Sequence, residues 1–299
     1  MKYHRSNKEK VVVFGGSGFL GSHVADALSD AGFSVTIFDI APSPWKKNDQ
    51  EMIVGDLLDE KSVYDCLKGA RYAFHFAGIA DIGEAKKSPM ATIKNNIVGS
   101  TTILECAVKS KLERIFFAST VYVYSNHGSF YRVSKQSVEL LIEAYQQNFG
   151  LDYTILRYGS LYGPRSQQWN GLKKYVAQAV KEKEISYLGS GEETREYIHV
   201  WDAAKLTVEA IDPSFKNQYL TLTGTQVLTS KELLNMISEI LGGKVNIKFL
   251  PENRDTDHYI KTPYRFTPRV ARKIIPNMFT EIGQGILELI EEVYKSAEQ

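Results

Sequence analysis

Tyr131 and Lys135 stand four residues apart in the run Tyr131-Arg-Val-Ser-Lys135, so on a helix they share one face. A free tyrosine titrates at about 10, too high for an efficient base at neutral pH. An ammonium a few ångströms away favours the phenolate and lowers that value. Tyr131 is then able to take the proton of a substrate hydroxyl while the carbon beneath it gives up a hydride.

A hydride needs an acceptor, and the N-terminal region is suited to hold one. Gly15-Gly-Ser-Gly18-Phe19-Leu20-Gly21 follows the apolar run Val11–Phe14 and precedes a segment with helical spacing. Glycine lets the backbone turn sharply and approach a pyrophosphate, and the helix start adds unpaired N–H groups and a partial positive charge. Asp39 ends the next apolar run, 24 residues after Gly15. A carboxylate there accepts both ribose hydroxyls and repels a 2′-phosphate. The following residue, Ile40, offers that phosphate no cation, so the pattern specifies NAD over NADP. Asp56-Leu57 follows a third strand; Asp56 is placed to reach the adenine amino group, to cap the helix after it, or to do both. Phe76-Ala77-Gly78 ends a fourth strand with small residues, as close approach to the cofactor or a plain tight turn would require.

The elements that must position these residues alternate. Short β-branched and aromatic runs near Val11–Phe14, Phe33–Ile40, Met52–Val54, Tyr72–Phe76, Arg114–Ala118 and Asp152–Arg157 are separated by helical spacing near residues 19–31, 62–67, 90–109 and 131–148. This predicts an α/β fold, a doubly wound parallel Rossmann sheet with a smaller C-terminal α/β lobe. The expected division is a flexible tail at 1–10, an NAD-binding domain at 11–163 and a substrate-binding lobe at 164–299. Within that lobe, about 196–212 are able to return to the first domain.

Composition narrows the function. Lysine and arginine total 36 against 35 acidic residues, a net charge of +1, which argues against nucleic acid or an anionic membrane as partner. The six histidines show no metal-ligand spacing, so no metal is expected. Cys66 and Cys106 fall in expected helices and fit a reducing cytosol. No apolar run approaches the roughly 18 residues that span a bilayer. The expectation is a cytoplasmic protein.

Together these residues resemble the extended short-chain dehydrogenase/reductase family, in its NAD-dependent nucleotide-sugar epimerase/dehydratase branch. The likeness rests on the Gly15–Gly21 turn, Asp39, Gly55-Asp56-Leu57, His75-Phe-Ala-Gly78, Asn95-Asn-Ile-Val-Gly-Ser100, Ser119–Ser125, Tyr131–Lys135, Leu156–Arg165 and Arg195–Ala204, in family order. The resemblance implies that Thr120 hydrogen-bonds the reacting oxygen and that Lys135 also holds the nicotinamide ribose. Asn95 matches a helix asparagine that holds backbone or cofactor groups; a solvated asparagine is the alternative. Arg195, and with a weaker match Arg254, would grip a diphosphate. Asn170, Leu172 and Tyr187 lie where the family holds base and diphosphate.

The implied activity is epimerisation of a nucleotide-diphosphate sugar: oxidation, commonly at C4, rotation of the ketone and hydride return to the opposite face. The alternatives are a nucleotide-sugar 4-dehydrogenase or reductase that releases its product, and a non-catalytic NAD sensor. A homodimer is implied through the helices near 90–109 and 131–148, with Ile103, Leu140 and Leu141 facing either a second copy or the sheet.

Three departures stand out. Family dehydratases carry an acidic pair where this chain has Val121 and Tyr122, and the closing glycine of that motif is Ser125. Five residues, Asn126–Phe130, separate Ser125 from Tyr131, where relatives have a longer loop over the sugar. This predicts a wider site that tolerates bulky sugars, with Phe130 partly filling the gap. The basic stretch from His258 to Ile275 matches no family ending. It reads as a lobe-closing loop before a helix at Gly283–Lys295, or as a contact for a partner or an anionic tail.

Overall fold

The computed structural model describes residues 8–251, 258–263 and 272–297; Arg254 and residues 1–7 of the expected tail lie outside them. Lys10, also assigned to the tail, instead opens the first strand, and its ammonium donates to the Cys66 and Lys68 carbonyls at 2.8 and 3.0 Å. In β1 (Lys10–Phe14), Val12 and Phe14 enter one buried layer and Val11 and Val13 the other. This is the period-two pattern of a strand covered on both faces. The glycine turn leads into α1 (Phe19–Asp30), which buries Val24, Ala25 and Leu28 against the second layer.

β2 (Ser34–Asp39) lies between β1 and β3 (Glu51–Val54). Asp59 starts α2 (Glu60–Leu67) by accepting the Lys61 and Ser62 N–H groups, which supplies partners that the first helical turn lacks. β4 (Tyr72–His75) then pairs with the other side of β1.

The expected helix near 90–109 is a composite. α3 (Ile82–Lys87) and α4 (Pro89–Thr92) precede a π-helical turn at Ile93–Val98, which runs into α5 (Gly99–Lys109). Ile103 is buried and Leu141 packs against the same layer, so both face the sheet. β5 (Arg114–Thr120) is followed by α6 (Ser129–Phe149) and β6 (Asp152–Tyr158). Glycines in the left-handed region, Gly128 at φ 93° and Gly150 at φ 69°, bound α6, and the Gly150 N–H returns to the Gln146 carbonyl at 2.9 Å to stop it.

The remaining elements are β7 (Ser160–Tyr162), α7 (Gly171–Glu182), β8 (Glu184–Leu188), β9 (Thr194–His199), α8 (Val200–Glu209), β10 (Gln218–Leu222), β11 (Val227–Thr229), α9 (Ser230–Ile240), β12 (Asn246–Leu250), β13 (Arg272–Lys273) and α10 (Ile282–Ala297). The chain returns to the first sheet over a longer stretch than 196–212: α8 packs on α1, and β10 and β13 extend the sheet. The eight strands are parallel in the order β13-β10-β6-β5-β4-β1-β2-β3. A third apolar cluster joins α7, β8, α9 and α10. Among the described residues, no helix is long and apolar enough to cross a membrane. Strand order reverses between β1 and β4, which places a ligand crevice outside the carboxyl ends of these strands.

Candidate active site

That crevice is a cleft of about 830 Å³. One end is the turn after β1. Gly15 has φ +81°, and a Cβ there would stand 2.5 Å from the Ala77 nitrogen; one on Gly21 would stand 2.2 Å from the Gly15 carbonyl oxygen. No side chain fits at either place, so backbone alone forms this wall. The N-cap of α1 is Gly18, which has no side chain to satisfy the first N–H groups, an arrangement that suits an anion. Asp39 Oδ2 accepts the Ser17 N–H at 2.9 Å, tying the acid to the turn. Ile40 is 74% exposed beside it.

Phe19 and Leu20, at the start of α1, and Asp56, Leu57, Phe76, Ala77 and Gly78, just beyond the carboxyl ends of β3 and β4, line the same cleft. Asp56 does not cap α2. Its Oδ1 accepts the Leu58 N–H at 2.9 Å in a tight turn, and Asp59 takes the capping role.

Thr120, Tyr131 and Lys135 meet at the middle of the cleft, at the end of β5 and on the first turns of α6. Burial pushes the Tyr131 phenol up to about 12, opposed by a hydrogen bond with Thr120. Burial also lowers the Lys135 ammonium to about 8, opposed by Glu139. Lys135 Nζ donates to the Ala118 carbonyl at 2.7 Å and stands 5.9 Å from the Tyr131 ring centre. Desolvation thus outweighs the Thr120 hydrogen bond, and the expected downward pull of Lys135 is not among the influences on Tyr131.

Asn95 lines the cleft, but its neighbour Asn96 holds the backbone. Asn96 Oδ1 accepts the Ile79 N–H at 2.7 Å, while Nδ2 donates to the Ile79 carbonyl and to Ser134 Oγ, each at 2.9 Å. Ser134 Oγ in turn donates to the Tyr131 carbonyl at 2.8 Å. Asn96 thus links the segment after β4 to the helix that carries Tyr131.

Behind the site lies an ion pair that sequence reasoning missed. Glu139 and Arg157 side chains are each 1% exposed, with Nη2 to Oε2 at 2.6 Å and Nε to Oε1 at 2.9 Å. Ser119 Oγ donates to the same carboxylate at 2.5 Å. One turn beyond Lys135, this pair fixes α6 against β5 and β6. The four-residue spacing Tyr131, Lys135, Glu139 was the available signal.

The substrate-side expectations divide. Asn170 lines the cleft and caps α7, accepting the Lys173 N–H at 3.2 Å. Leu172 and Tyr187 do not reach the cleft. Leu172 is 4% exposed in the third apolar cluster, and the Tyr187 hydroxyl is spent on Glu193 and Ser230 at 2.9 and 2.8 Å. Arg195 also lies outside the cleft lining: its guanidinium covers the Tyr259 ring at 4.5 Å and donates to the Thr194 carbonyl at 3.1 Å. Phe130 is 39% exposed and does not line the cleft. Tyr122, His258, Gln167 and Trp169, none of them anticipated there, also line the cleft.

Residues 11–219 match the model of the NAD-dependent epimerase/dehydratase family. A UDP-N-acetyl-alpha-D-glucosaminuronate decarboxylase of Bacillus cytotoxicus is 26% identical over 316 aligned positions, covering 95% of this chain and 97% of its own length. A UDP-glucose 4-epimerase of Rhizobium leguminosarum is 26% identical, covering 84% of this chain and 88% of its own length. In fold, the chain is similar to the crystal structure of UDP-glucose 4-epimerase with UDP-glucose from Thermotoga maritima. That match has a TM-score of 0.82 and 23% identity over 96% of this chain and 99% of the other.

Proposed function

Because the chain belongs to the NAD-dependent epimerase/dehydratase family, we propose that it epimerises a nucleotide-diphosphate sugar by transient oxidation, commonly at C4. The observation that carries this reading is the convergence of Thr120, Tyr131 and Lys135 midway along one cleft. That cleft runs from Asp39 to Gln167, Trp169 and Asn170. Its first half suits a dinucleotide and its second half leaves room for a substrate.

NAD, when bound, supplies the ring that accepts a hydride and returns it. The chain supplies the rest. The Gly15–Gly21 turn and the start of α1 hold a pyrophosphate, and Asp39 takes ribose hydroxyls. Thr120 hydrogen-bonds the reacting oxygen, and Tyr131 takes its proton and later gives it back. Lys135 holds a ribose hydroxyl, and Asn96 and Glu139–Arg157 keep α6 in place.

Decarboxylation of a nucleotide uronate would begin with the same oxidation, and a relative is named for such a reaction. A relative named as a UDP-glucose 4-epimerase, matched over 84% of this chain, supports the epimerase reading. Incubating the NAD-loaded protein with UDP-glucose and, separately, with UDP-glucuronic acid tests this by proton NMR. A C4 epimer with no net NADH is expected. A pentose product with carbon dioxide would make the protein a decarboxylase, and accumulating NADH a dehydrogenase.

The same reading includes a homodimer. Met90, Ile93, Val98, Val133 and Leu140 are exposed on α4, the π-helical turn and α6, elements that touch one another. Leu140→Asp is expected to yield a monomer by sedimentation, and an unchanged dimer would exclude this face.

A further inference from the structure

The stretch between β7 and α7 contributes one wall of the cleft, where Gln167, Trp169, Asn170 and Gly171 line the space. This stretch is tied down on both sides. His23 Nε2 on α1 donates to the Pro164 carbonyl at 3.0 Å, and Arg165 Nη2 stands 2.9 Å from Asp26 Oδ2 on the same helix. Lys173 Nζ donates to the Ser166 carbonyl at 2.9 Å and to Glu292 Oε1 of α10 at 3.1 Å. Asn170 donates from Nδ2 to the Leu161 carbonyl at 2.9 Å, and its N–H donates to the Gln167 carbonyl at 3.0 Å.

Two side chains of this anchored loop are left unengaged. Trp169 is 48% exposed and makes no hydrogen bond or ring contact with any described residue. The half-buried Gln167 amide likewise has no side-chain partner among the described residues. Other rings in the lining, those of Phe19, Phe38 and Tyr158, are buried. An indole face left to water inside a cleft gains free energy when a flat apolar surface covers it.

A nucleotide substrate needs such a partner. Of the residues expected to hold the base, Leu172 and Tyr187 are buried in the third apolar cluster. Both ends of the Asn170 amide are engaged, Oδ1 by the Lys173 N–H and Nδ2 by the Leu161 carbonyl. None of the three offers the cleft a ring face or a free polar edge. Trp169 supplies the face. The Gln167 amide supplies a donor and an acceptor side by side, which matches the edge of a base.

We infer that Trp169 is the stacking platform for the nucleobase of the substrate, with the Gln167 amide at the polar edge of that base. This rests on the nucleotide-sugar reading proposed above. The base then lies against the loop before α7, and the firm seating of that loop by the Lys173–Glu292 pair presents the ring ready for it.

Calorimetric titration of UDP and UDP-glucose into NAD-loaded wild type, Trp169→Ala, Trp169→Phe and Gln167→Ala tests the platform without turnover, with NAD affinity as the check on folding. Trp169→Ala is expected to lose at least about 10-fold on both ligands and Trp169→Phe, which keeps a ring, under about 3-fold. Gln167→Ala is expected to lose about 3-fold or more. UDP should also change the tryptophan emission of wild type, and that change should vanish in Trp169→Phe, which keeps Trp45 and Trp201. Undiminished UDP binding by Trp169→Ala, a loss on UDP-glucose but not on UDP, an equal loss of NAD affinity, or a wild type that binds no UDP would each overturn the inference. Gln167→Ala binding like wild type would strike Gln167 from the site. Oxidation is read separately by Tyr131→Phe, so loss of the platform leaves that reading standing.

Discussion

The Lys135 ammonium stands 5.9 Å from the centre of the Tyr131 ring, yet its close hydrogen bond goes to the Ala118 carbonyl at 2.7 Å. With Tyr131 raised to about 12 by burial, little phenolate exists at neutral pH. The oxidised nicotinamide carries positive charge, so NAD binding is expected to lower the Tyr131 pKa.

The rate of oxidation should accordingly rise with pH. Lys135→Met removes a cation that favours the phenolate, so the rising limb of its kcat profile should move to higher pH, with a loss of about 100-fold at neutral pH. Lys135 sheds its own charge as pH rises through about 8, so the gap between variant and wild type should narrow above that value. A constant gap at all pH values would show that Lys135 only packs.

Asp39 accepts the Ser17 N–H, so its replacement must keep that contact to be informative. Asp39→Asn keeps an acceptor and removes the repulsion towards a 2′-phosphate. The ratio of NADP to NAD affinity, from fluorescence titration, should rise by about 10-fold, the equivalent of about 1.4 kcal/mol. An unchanged ratio would remove Asp39 from cofactor selection.

Glu139 and Arg157 form a fully buried pair. Glu139→Gln leaves the guanidinium without its counter-charge, and urea unfolding should show a loss of about 3–5 kcal/mol. Replacing both by apolar residues of similar volume should cost less than either single change. Additive losses would mean that the two side chains act independently.

Three buried histidines set the acid limit. Burial lowers His75 to about 3 and His23 and His199 to about 4. The unfolded chain takes up these protons at about 6.5, so the unfolded state binds more protons below that pH. Their stabilisation is complete above about 6.5 and is lost progressively as pH falls towards the folded values. Thermal melts should show Tm dropping over that window, and His75→Asn should flatten the slope. A Tm level down to about pH 4.5 would show that these histidines are protonated without penalty.

The parts of the site that could be read from sequence are those made within one element or across one turn. The Gly15–Gly21 turn and Asp39 belong to a single β-α-β unit, and Tyr131 and Lys135 to one helix. What escaped depends on longer range or on irregular backbone. The π-helical turn at Ile93–Val98 adds a residue to its cycle, so helical spacing cannot tell which of Asn95 and Asn96 turns inward. Tyr187 alternates with Ile185 as a buried position of β8, and Leu172 shares a helical stripe with Val176 and Val180. Both patterns already marked core, against the resemblance that placed them at substrate. Tyr122 and His258 are separated by 136 residues, and no local pattern joins them.

Tyr131 is the proposed base for a reversible oxidation by NAD. Its most direct test is turnover of a nucleotide sugar by NAD-loaded Tyr131→Phe, with NAD affinity measured on the same sample. Epimerisation is expected to fall by at least about 100-fold with NAD affinity retained. Wild-type turnover in the phenylalanine variant would contradict it.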